Sequence, residues 1–71
     1  MRVTTKNGRT VWLVFNPDCE YNTGGFWVEI YGDENLDCRL DDFCIHPEDC
    51  DCKNMDAVEW FALGIVSNLV I

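Results

Sequence analysis

Two six-residue segments, TVWLVF (Thr10 to Phe15) and FWVEIY (Phe26 to Tyr31), constrain this chain more than any other feature. Both are rich in β-branched and aromatic residues, which suit a pleated, half-buried surface. Strand side chains point alternately to opposite faces. One face therefore collects Val11, Leu13 and Phe15 with Phe26, Val28 and Ile30, an aliphatic and phenylalanine set that needs cover. The other collects Trp12 and Val14 with Trp27, Glu29 and Tyr31. A sheet with one covered face and one aromatic face follows.

The flanking residues supply the rest of the architecture. Asn7-Gly8 lies between RVTT and the first alternating segment, and Asn-Gly is a strong signal for a two-residue type I′ turn with positive φ at both positions. This predicts a β-hairpin over residues 2–16, then a loop through NPDCEYNTGG and a strand over 26–31. Near the C-terminus, Asn54 is a fair N-cap and Asp56 suits the positive end of a helix dipole. Val58, Phe61, Ala62, Ile65 and Leu69 recur at helical spacing, which predicts a helix over 54–70. Trp60, Leu63 and Val70 fall off that stripe, so the helix is apolar nearly all round, a pattern that asks for cover on more than one side. Gly64 weakens it by about 1 kcal/mol relative to Ala. The fold class is α+β: a small antiparallel sheet of three or four strands with one C-terminal helix packed on one face.

Residues 32–53 have no clear period and read as an acidic, cysteine-containing loop. Cys38-Arg39-Leu40 or Phe43-Cys44-Ile45 can pair as an edge strand, and Pro47 ends any strand that reaches it. A structureless connection of this length is uncommon in a compact domain, so something organises it.

One candidate organiser is a metal. A chain of 71 residues builds a marginal core, and such domains often add a metal, a disulfide or a partner subunit. The stretch CIHPEDCDC offers Cys44, His46, Cys50 and Cys52 as four zinc ligands, with Cys38 spare. The one-residue gaps in Cys44-x-His46 and Cys50-x-Cys52 are narrower than the two to four residues common between paired ligands. The competing reading makes these cysteines small, often-buried thiols of a reduced protein, with no cofactor. A disulfide is the third alternative, and the odd count of five cysteines weighs against it. MRVTTKNGRT lacks an apolar leader core, so the expected compartment is the reducing cytoplasm. A calcium loop fits poorly: Asp33, Asn35, Asp37 and Asp41 have EF-hand spacing, but Cys38 and Cys44 stand where glycine and glutamate are needed.

Charge points to the class of partner. The net charge is −8, and the acids concentrate in one region: Asp33, Glu34, Asp37, Asp41, Asp42, Glu48, Asp49 and Asp51, with Arg39 the only base among them. Arg2, Lys6 and Arg9 lie at the other end. Such a surface repels nucleic acid and anionic membranes and attracts basic protein surfaces. The apolar run from Ala57 to Ile71 is too short to span a bilayer. Enzyme signatures are missing: one histidine, no glycine-rich phosphate loop, and adjacent Asp41 and Asp42 that point apart on a strand. The sequence is thus read as a non-enzymatic, acidic protein-interaction module. By size and charge alone it is similar to the anti-restriction and anti-CRISPR inhibitors of phages and mobile elements, which present carboxylates to basic grooves built for phosphates. That similarity implies an inhibitor whose eight acids engage a basic nucleic-acid-handling protein. Trp12, Trp27 and Tyr31 supply apolar anchors, and the same face suits a homodimer. The alternative is a small structural zinc domain.

Overall fold

A computed structural model describes residues 1–17 and 24–71 of the chain. Four strands, β1 (Arg2–Thr4), β2 (Thr10–Pro17), β3 (Phe26–Tyr31) and β4 (Arg39–Ile45), precede one helix, α1 (Met55–Val66). The strands form a single antiparallel sheet in the order β1-β2-β3-β4, so chain order and spatial order coincide. The expected connection between β2 and β3 lies largely outside the described residues.

The alternation resolves the two faces as the sequence implies. Val3, Val11, Leu13, Val28, Ile30 and Ile45 are buried on one face, with Phe15, Phe26 and Phe43 packed against them. The helix closes this face through Val58, Ala62 and Val66, all fully buried. This row of every fourth residue differs in part from the expected stripe: Val66 replaces Ile65 at its end, and Leu63 also packs against the core. The helix also stops at Val66, short of residue 70. Its last carbonyls are taken by tight turns and a side chain: Asn68 N–H donates to Ile65 O (3.2 Å) and Asn68 Nδ2 to Gly64 O (2.7 Å). The tail then meets the first hairpin, where Lys6 N–H donates to Leu69 O (2.9 Å) and Asn7 Nδ2 to Ile71 O (2.8 Å). At the other end Asn54 Oδ1 accepts from Asp56 N–H (3.0 Å), the expected N-cap.

The hairpin is present but its turn differs from type I′. Thr5 N–H bonds to Arg9 O (2.8 Å) and Gly8 N–H to Thr5 O (3.0 Å), which leaves three residues, Lys6 to Gly8, in the loop. Gly8 has φ +84, and Asn7 does not share the left-handed region. A three-residue loop needs only one such position, at its end, and glycine fills it.

The largest departure from the sequence reading lies in 32–53, where residues 39–45 are not loop but the edge strand β4. Its pairing with β3 runs Phe26↔Ile45 to Ile30↔Asp41, then slips so that Tyr31 faces Arg39. Leu40 is the extra residue of this bulge. Without it, alternation would send Arg39 to the helix side. The slip instead turns Arg39 to the aromatic face and lets Leu40 pack against the core. At the opposite end of the β3–β4 pair, Gly25 is buried so close to the Ile45 carbonyl that a Cβ would overlap it.

Candidate interaction surface

On the face away from the helix, the register sets three cross-strand rows. Arg2, Trp12, Tyr31 and Arg39 form one, Val14, Glu29 and Asp42 the next, and Asn16, Trp27 and Cys44 the third. Trp12, Val14 and Tyr31 are half-buried and Trp27 is exposed. The cysteine loop does not cover this face: Cys50 and Cys52 lie against the core on the helix side.

Glu29 is the polar centre of the face. Its Oε1 accepts from Asn16 Nδ2 (2.9 Å) and its Oε2 from the Tyr31 hydroxyl (3.0 Å). Arg39 Nη1 stands 3.7 Å from Oε2. The same guanidinium pairs with Asp42 and lies over the Trp27 ring, 5.9 Å from its centroid. The bond to Glu29, then burial, then the Glu29 charge push the Tyr31 hydroxyl above its ordinary pKa. Sequence reasoning placed Glu29 on this face but assigned it no role, although a lone acid in FWVEIY was a usable signal. Arg39 was not readable as a member of the face, because its position depends on the bulge.

The acids occupy the β4 edge and the connections at its two ends. Between β3 and β4, the Asp33 carboxylate accepts from Asp37 N–H (3.0 and 3.2 Å) and Cys38 N–H (2.9 Å), while Gly32 N–H reaches Cys38 O (2.8 Å). Leu36 closes the turn at φ +60. On β4, Asp41 Oδ1 accepts from Asp42 N–H (2.8 Å). After β4, Asp49 Oδ2 takes His46 N–H (2.9 Å) and Asp51 Oδ1 takes Lys53 N–H (3.1 Å), so consecutive carboxylates tie the turns that lead into α1. Glu34, Asp37 and Glu48 are exposed beside them. Pairing of β4 and these side-chain bonds organise the segment.

The four candidate zinc ligands are not brought together. Cys44 lies in the row of Trp27, on the aromatic side. Cys50 and Cys52 pack against the core on the helix side, and His46 stands in the turn after β4. Cys38 is exposed at the start of β4. Burial, the adjacent Cys50, and then Asp49 and Asp51 push the Cys52 thiol above its ordinary pKa. Among the described residues no group of three or more His, Cys, Asp or Glu side chains is arranged to hold a metal ion.

The meander converts uneven charge along the sequence into polarity across the sheet. Arg2 lies on β1 and Lys6 and Arg9 in the turn that follows it, and the acids lie on and around β4. Adjacent strands are about 4.8 Å apart, so the outer two strands are separated by about 14 Å. Screening acts over about 8 Å at physiological salt, so charges at the two outer strands interact weakly; the Arg9 guanidinium nevertheless reaches Gly32 beside the acidic turn, and Arg39 pairs with Asp42 on β4 itself. The described residues enclose no pocket, and no helix among them is long and apolar enough to cross a membrane. No protein family, no curated protein and no solved structure matches the chain.

Proposed function

We propose that this chain is a non-enzymatic interaction module that binds a basic, nucleic-acid-handling protein through the β4 edge and inhibits it by occupying a groove built for phosphates. The observation that carries this reading is the continuity of the acidic edge with the aromatic face. The eight acids flank or sit on β4, and Trp27 and Tyr31 stand one strand away, with Trp12 beyond them on β2. Carboxylates on such an edge speed encounter with a cationic surface, and buried aromatics hold the complex once formed. The test is capture of a basic partner by the variant carrying Asp→Asn at positions 41, 42, 49 and 51. Asparagine keeps a carbonyl oxygen for Asp42, His46 and Lys53 N–H groups, so the turns persist while four charges are lost. Capture should fail with the melting transition retained; undiminished capture refutes the reading.

Self-association is a second reading, favoured by the opposite charges of the two edges. A two-fold axis parallel to the strands would stack two aromatic faces with the basic edge of one copy over the acidic edge of the other. Sedimentation equilibrium at tens of micromolar reads it directly: a doubled mass supports it, and a monomer mass ends it.

A further inference from the structure

Arg39 is the only base among the acids, and it is seated in a defined place. Its guanidinium lies 5.9 Å above the Trp27 ring, pairs with Asp42, and stands 3.7 Å from Glu29 Oε2. Glu29 is itself fixed by Asn16 and Tyr31, so one wall of this place is rigid. An aromatic face with two carboxylates at its border suits a planar guanidinium, which stacks and donates in a fork, better than an ammonium. The occupant is weakly held: its side chain is 49 % exposed, and half-exposed ion pairs contribute little.

We infer that Trp27, Glu29 and Asp42 form a guanidinium-binding site for an arginine of the partner, in which Arg39 is a displaceable internal occupant. This rests on the interaction function proposed above and specifies the chemistry of its partner: an arginine-bearing surface, not merely a cationic one. Binding moves the Arg39 side chain out toward solvent and sets the incoming guanidinium between ring and carboxylates. The acids along β4 supply attraction at a distance, and this site supplies the choice between arginine and lysine.

Titration of the intact chain with nona-arginine and nona-lysine at equal ionic strength tests the inference. Nona-arginine should bind several-fold more tightly. Arg39→Ala should tighten nona-arginine by about fivefold, the equivalent of one exposed ion pair released. It should tighten nona-lysine less, and that peptide reports the plain effect of removing one positive charge. Trp27→Ala should abolish the arginine preference, and Trp27→Phe, which keeps a ring, should reduce it if the alanine variant melts early. Equal affinity for the two peptides, or equal tightening of both by Arg39→Ala, overturns the arginine site. If that equal binding is lost in the four-site Asp→Asn variant, the acidic interaction surface itself still stands. No binding of either peptide overturns both.

Discussion

Replacing Asp33 by alanine separates acids that hold the fold from acids available to a partner. The Asp33 carboxylate binds two backbone N–H groups, of Asp37 and Cys38, at 2.9 to 3.2 Å. Hydrogen bonds to a charged acceptor contribute about 1.5–3 kcal/mol each where removal strands the donor in the interior. Here Asp37 and Cys38 are exposed, and water re-solvates their N–H groups after truncation. The loss therefore falls in the range of a removed helix cap, about 1–2 kcal/mol in total. For a domain of this size about 1 kcal/mol moves the melting temperature by 4–8 °C, so a decrease of about 5–15 °C is expected by circular dichroism. Asp33→Asn, which keeps one acceptor oxygen, should fall between. Glu34→Gln, at the exposed neighbour, should stay within about 0.5 kcal/mol of the parent. An Asp33→Ala protein that melts with the parent would refute the assignment of this carboxylate to the turn and return it to the partner-facing set.

Gly25→Ala should destabilise the domain by about 2–4 kcal/mol, because the new methyl overlaps the Ile45 carbonyl and must part β3 from β4; chemical denaturation reads this. Leu36→Gly should raise the melting temperature by a few degrees, since it relieves a left-handed backbone conformation costing about 1 kcal/mol at an exposed side chain. Stability should also fall at alkaline pH. Cys52 and Tyr31 have folded pKa values raised above 9.0 and 10.0, so their contribution is fully present below those unfolded values and is lost as pH rises through the folded ones. Melting from pH 7 to 11 should show the decline beginning near 9, and a flat profile would contradict it.

The sequence by itself determined the composition of the two sheet faces, the hairpin, the helix start and the concentration of acid. Each is a local property: strand alternation assigns Val11 and Trp12 to opposite sides whatever their neighbours, and Asn54 caps the residues directly after it. The helix end was less legible, because Val66 and the tail after it are decided by packing and by bonds to the first hairpin, more than sixty residues away in the chain. The candidate site divides in the same way. Trp12, Trp27 and Tyr31 were readable from alternation alone, and so was the acidity of the region that became β4. That Asp33, Asp49 and Asp51 brace turns, that Cys44 parts from Cys50 and Cys52 across the sheet, and that Arg39 joins Trp27 and Glu29 were not readable. These follow from strand pairing and from one extra residue in β4, and a shift of one residue in register reverses which face a side chain occupies. Tertiary structure thus decided the polarity of the molecule: an uneven order of charges became two opposed edges only because the four strands lie side by side in the order in which they are written.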